Sequence, residues 1–322
     1  MPAVLVEHQL EILDVNNENR ALVFGTEDTG YLTLSPPQWV GGDVRDGDLD
    51  RAQEDGRYFG RDYRTGASVG FEIGVLTDKV NGLDDGYAYR SNVDYAERLS
   101  SWWDDERLRS RPWELAMLRF CVAGRTWRAY GRPRRFEVAP TRLQQQGYAP
   151  VVCDFAVMDN SVYSDDFETL TVPLMSRPDG GLTAPLTEPL TATPGTEGER
   201  EITITGSRST WPWIQFVGPS TSAQVQLIRQ PDDDDPEPFS VTVGLSTSIP
   251  GSGAIVTVDP RPWSRGVTRN DGANYAGYLS PSTPVLREMK LRKGTYQVIY
   301  SAIDATGTSS CVVQWRNARS RP

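Results

Sequence analysis

The chain has 322 residues and a formal net charge of −10, with 38% hydrophobic residues, 29 glycines and 23 prolines. At that length one hydrophobic core usually gives way to two, and no apolar run reaches the roughly 18–20 residues of a membrane span. A single histidine, His8, excludes Ser-His-Asp triads and histidine zinc sites, while the scattered Cys121, Cys153 and Cys311 read as reduced, packed thiols rather than a disulfide framework.

The opening MPAVLVEHQLEIL has neither a basic start nor a long apolar stretch, which predicts no secretory signal and a chain that stays in the cytoplasm where it is made. Residues 3–13 and 20–26 alternate like strands around the turn DVNNEN and predict an N-terminal hairpin, with His8 as a strand residue. Residues 41–66, crowded with Gly, Asp and Arg, predict a long loop of the kind that is functional or held by a partner. ASVGFEIGVL follows as a strand. Asp94 with Glu97 resembles a capping box, and Tyr95, Leu99 and Trp102 share one helical face, which predicts a helix over 93–108 stopped near Pro112. Strands are predicted at 114–122, at 125–138 with a Gly-Arg-Pro turn, and at 148–158, giving a domain of α+β class built on a β-barrel or sheet. The Pro/Gly/Thr-rich stretch 176–198 reads as a linker. Beyond it, runs at 201–206, 213–218, 223–229, 239–245, 254–259, 295–303 and 310–315 predict a β-sandwich.

Dividing the charge is informative. Residues 1–175 carry 19 basic and 29 acidic side chains and residues 176–322 carry 14 of each, so the excess lies wholly in the first part. Within it, residues 1–106 hold 9 basic against 22 acidic groups, whereas 107–142 hold 10 arginines against Glu114 and Glu137. Ordinary solvated surfaces intersperse the signs, and this segregation points to an oriented field or to self-association.

Several motifs fail on inspection. Gly66-Ala-Ser68-Val-Gly70 matches a nucleophile elbow, but no histidine follows it. Asp46, Asp48 and Asp50 begin like a calcium loop, but Arg51 and Arg57 occupy its required Gly and Glu positions; this stretch and the run Asp232–Glu237 read as solvated acidic loops, an incidental cation site being the alternative. The Arg-rich hairpin carrying Arg125, Trp127, Arg128, Arg132, Arg134 and Arg135 reads as an intersubunit or partner contact, with a solvated hairpin and nucleic-acid binding as alternatives. Trp211, Trp213, Trp263, Tyr275 and Tyr278 read as sandwich core and loop anchors, with a platform for glycan or partner contact as the alternative.

The order of parts resembles a known family. The N-terminal hairpin, RDYRTGASVGFEIGVL, the helix ending near a Trp, AGRTWRAYGRPRRFEV and VVCDFAVMDNSVYSDD, followed by a sandwich, look like the distal tail (Dit) proteins of long-tailed bacteriophages, nearest to minor tail proteins of phages infecting actinobacteria. The 30 Arg to 3 Lys fit a high-GC genome. The resemblance implies a tail-ring domain over 1–175, made of a split β-barrel with a helix and a protruding hairpin, the linker 176–198, and a galectin-like β-sandwich over 199–322. It implies a structural virion protein of the tail, without catalysis or cofactor and without membrane insertion. Six copies would form a ring joining the tail tube protein to the tip hub and receptor-binding components, with a passage for DNA and the tape-measure protein. Six copies would together carry about −60, which repels DNA in transit. The galectin sugar site is not recognisable, for the sandwich has no histidine and no WGxE segment. The rival readings are a carbohydrate-binding adhesin acting through the sandwich and, further off, a carboxylate-pair glycosidase.

Overall fold

The computed structural model describes residues 3–15, 17–77, 85–139, 141–174, 197–231 and 238–321. The acidic run Asp232–Glu237 and residues 176–196 of the predicted linker lie outside them. The chain divides into two compact units, Met1–Asp165 with Arg319–Pro322, and Asp166–Ala318.

In the first unit the strands are β1 (Leu10–Asp14), β2 (Asn17–Phe24), β3 (Tyr31–Thr33), β4 (Gln38–Val40), β5 (Val44–Arg45), β6 (Leu49–Asp50), β7 (Arg57–Tyr58), β8 (Tyr63–Arg64), β9 (Ser68–Leu76), β10 (Ala116–Val122), β11 (Arg125–Val138), β12 (Tyr148–Val157) and β13 (Val162–Ser164). The main sheet runs β2-β1-β10-β11-β12-β9-β3 and nearly closes into a barrel. Its two ends meet where Gly25 N–H donates to the Tyr31 carbonyl at 2.7 Å and Thr33 N–H to the Gly25 carbonyl at 3.2 Å. Inward-facing Ile12, Phe24, Ile73, Leu118 and Phe155 fill the core, as period-2 alternation requires.

The N-terminal strand begins later than the alternation predicts. Val6–Gln9 is a turn closed by Gln9 N–H on the Val6 carbonyl at 3.0 Å, and His8 sits in the left-handed region with φ 67° rather than in a strand. Glu7 holds the turn in place by accepting the Gly124 and Ala123 backbone N–H groups, each at 2.8 Å, and these bonds keep its carboxyl below the ordinary value.

The helix also differs. α1 spans Asp85–Trp103 and a separate α2 spans Glu106–Ser110. Asp94 and Glu97 therefore lie exposed in mid-helix and cap nothing. The working cap is Asp105, whose carboxylate accepts Arg107 N–H at 2.9 Å and starts α2. The predicted apolar stripe faces the core: Leu99 and Trp102 are buried and Tyr95 is half-buried against them, joined by Trp103, whose Nε1–H donates to the Asp154 carbonyl at 2.9 Å.

The predicted Gly-Arg-Pro turn does not form. β11 is one strand of 14 residues, paired with β10 on one side and with β12 on the other, so 125–138 is the middle of the sheet and not a hairpin. The turn residues serve a bulge between Pro133 and Phe136, where a proline is tolerated. Gly131 is needed for closeness, since a Cβ there would fall 2.0 Å from the Ala156 carbonyl oxygen of β12.

The second unit is a sandwich of two antiparallel sheets. One is ordered β14 (Glu168–Pro173), β22 (Ser310–Trp315), β16 (Trp213–Val217), β19 (Ile255–Asp259), β20 (Gly266–Arg269); the other β15 (Glu197–Ile204), β21 (Gly294–Ile303), β17 (Thr221–Arg229), β18 (Phe239–Gly244). Val225, Val243, Ile214, Val256, Val298 and Val313 meet in the core between the sheets. β14, which the sequence pattern does not single out, is an edge strand ending in a proline.

Candidate functional site

Residues 41–66 form an arm rather than a loop. β4 leaves the barrel paired with the start of β9, Gln38 opposite Gly70 and Val40 opposite Ser68, and the two strands continue outward in two further ladders, β5 with β8 and β6 with β7. Asp48 clasps the arm by accepting Gly60 N–H at 2.9 Å and pairing with Arg57, so this acidic residue braces backbone. The strands also pack closely where two glycines face each other, for a Cβ on Gly60 would lie 2.3 Å from the Gly47 carbonyl oxygen. Arg51 lies over Tyr58 at 4.9 Å and Arg61 over Tyr63 at 5.5 Å.

The arm has no core. Phe59 is 86% exposed, Leu49 69% and Tyr58 61%, with Val44 and Tyr63 also solvent-facing. Each such side chain left in water forgoes about 1.5–3 kcal/mol that burial would supply, and an isolated two-stranded ribbon is marginal by itself. The sequence signal was present in VRDGDLD and RYFGRDYR but was masked by their charge.

The six candidate ring-interface residues take three different places. Arg125, Arg134 and Arg135 are exposed, and Arg135 pairs with Glu137 at 2.6 Å. Trp127 is buried beneath Arg319, whose guanidinium lies 5.0 Å from the ring centroid, and Arg128 is buried against Asp165. Arg132 donates to the carbonyls of Glu114, at 2.8 Å, and Arg111; burial and then the charge of Arg134 lower its pKa. Asp165 accepts from Arg128 at 2.6 and 2.9 Å and from Arg119 at 2.6 and 2.9 Å, while Arg119 also pairs with Glu11 and donates to the Ala3 carbonyl. Burial alone would raise Asp165; the hydrogen bonds and charges of Arg119 and Arg128 outweigh it and hold the carboxyl below its ordinary value. Arg107 pairs with Asp14 and Arg20 with Asp105 in the same way. Part of the charge segregation is thus answered inside one chain.

The sandwich aromatics form separate groups. Trp213 stacks on Phe167 at 5.8 Å, and Arg261 lies 5.6 Å from Trp213 and 5.8 Å from Trp263. Trp211 is buried with Lys290 over its ring, and Tyr275 packs on Tyr278 at 5.2 Å with Arg269 over Tyr275. Tyr278 alone of the five is largely exposed.

Nothing at these positions is arranged for covalent chemistry. Ser68 opens β9 opposite Val40, within a ladder and not at a strand-to-helix elbow. Burial pushes up the thiols of Cys153 and Cys311, which weakens them as nucleophiles. Among the described residues no group of three His, Cys, Asp or Glu side chains is placed to hold a metal ion, and no helix is long and apolar enough to cross a membrane.

This nearly closed barrel with one long helix, combined in one chain with a sandwich, has a Dit-like fold. The chain is similar to the SPP1 Dit (gp 19.1) protein, a hub of the adsorption apparatus in phages infecting Gram-positive bacteria, with TM-score 0.52 and 12% identity over 96% of this chain and 98% of that one. It is similar to a chain of the phage P2 baseplate in its activated conformation with Ca, with TM-score 0.52 and 12% identity over 95% and 97%. No protein-family model matches the chain and no curated protein matches it in sequence.

Proposed function

We propose that this protein is a structural component of a bacteriophage tail tip, a distal tail protein that closes into a hexameric ring between the tail tube protein and the tip. The observation that carries the reading is the likeness to phage Dit over 96% of the chain, which takes in both units. The arm supports the assembly part, because its apolar side chains stand exposed among the described residues. In this reading the ring leaves a channel for DNA and the tape-measure protein, and about −60 summed over six copies keeps DNA from adhering as it passes. The sandwich is a platform for tip hub and receptor-binding components, with the ring domain taken as Met1–Asp165 plus Arg319–Pro322 and the platform as Asp166–Ala318. No catalysis or cofactor is involved.

The test is the mass and symmetry of the purified full chain, by light scattering and negative-stain electron microscopy. Six-fold rings are expected. A monomer at every concentration overturns the proposal.

A further inference from the structure

An apolar groove of about 580 Å³ opens on the first unit where the barrel closes. Leu34, Pro36, Pro37, Trp39, Phe120 and Val122 are among its apolar lining residues, with the Trp39 and Phe120 rings 5.2 Å apart. Glu27 is its one acidic lining residue, and no Lys or Arg lines it. Its size is that of a site for a few side chains or a small ligand.

The arm carries what this groove lacks. Phe59, the most exposed of the arm's aromatic residues, sits in the segment Arg57-Tyr58-Phe59-Gly60-Arg61, an apolar pair between two cations. Phe59 is 86% exposed, so it does not occupy the groove of its own chain. From Val40, at the root of the arm, to Leu49 is nine residues of largely extended chain, about 30 Å, which carries the tip well beyond its root. One arm and one groove per copy make a heterologous contact, the kind that closes a ring.

We propose that the groove receives the Arg57–Arg61 segment of a neighbouring copy's arm, with the Phe59 ring seated against Trp39 and Phe120 and a cation of the segment near Glu27. This rests on the ring reading above and names the surfaces that would make it. Burying a phenylalanine in this way is worth about a 10- to 100-fold change in association.

The experiment uses the full chain in a Cys121→Ser background, because Cys121 also lines the groove. Phe59→Cys and Leu34→Cys are made as separate variants, mixed, and oxidised; Leu34 and Phe59 are both exposed. A covalent heterodimer that needs both variants is expected. Phe59→Ala is expected to raise the concentration needed for assembly about 10- to 100-fold with the thermal transition unchanged. Rings that form normally in Phe59→Ala and give no 34–59 cross-link overturn this docking and leave the ring reading standing. A wild-type chain that is monomeric throughout overturns both.

Discussion

Replacing Asp165 by Asn tests whether the Arg119/Glu11/Arg128 cluster holds the barrel together. Asn keeps the volume and one acceptor oxygen but removes the charge that answers two guanidiniums. Arg119 retains Glu11, whereas Arg128 has no other carboxylate partner among the described residues. The three groups nearest the lesion are at most 14% exposed in their side chains, so solvent screens the loss poorly. Breaking a buried pair by deleting one partner costs about 3–5 kcal/mol, and the retained acceptor and the Glu11 pair place this case near 3 kcal/mol. For a unit of this size that is a fall of about 6–12 °C in Tm. Calorimetry of the full chain reads the fall, and hydrogen exchange should locate it in β1, β10 and β11. The pH dependence has a definite sign. The folded carboxyl is held below its ordinary value of 3.8, so its stabilisation is complete above that pH and is lost as pH falls through the folded value. The gap between wild type and Asp165→Asn should therefore be full at pH 7 and shrink below about pH 3.8. A variant within about 0.5 kcal/mol of wild type at pH 7 would refute the reasoning.

Three further outcomes follow from the same geometry. Arg134→Glu with Arg135→Glu changes two exposed side chains and should impair ring formation in electron micrographs while leaving Tm unchanged; intact rings would remove these residues from the interface. Gly60→Ala drives a methyl into the Gly47 carbonyl, so the arm should open and be cut faster by protease within 41–66 while the barrel melts as before, and an unchanged cleavage rate counts against the close approach. Titration of the full chain with host wall glycans should give no saturable signal, since Trp213 is already covered by Phe167 and Arg261; millimolar binding that disappears in Trp263→Ala would revive the adhesin reading.

Alternation and composition, which are local, determined much of this protein by themselves: the mainly β class, the α+β barrel with one long helix, most of the sandwich strands and the apolar stripe through Leu99 and Trp102. Burying one side of a strand or helix imposes its period directly on the sequence. Tertiary structure alone decided the rest. Glycine and proline around Gly131 read as a turn, but close approach of β12 makes them a bulge in a central strand. Asp94 had the pattern of a cap, yet the helix extends past it because packing on the barrel outweighs a local capping preference of about 1 kcal/mol. The segregated charges read as surfaces for other copies. Several are spent within the chain, because Arg119 meets Glu11 across 108 residues and Arg128 meets Asp165 across 37. A side chain's partner is set by the register of strands far apart in sequence, and no local pattern records it.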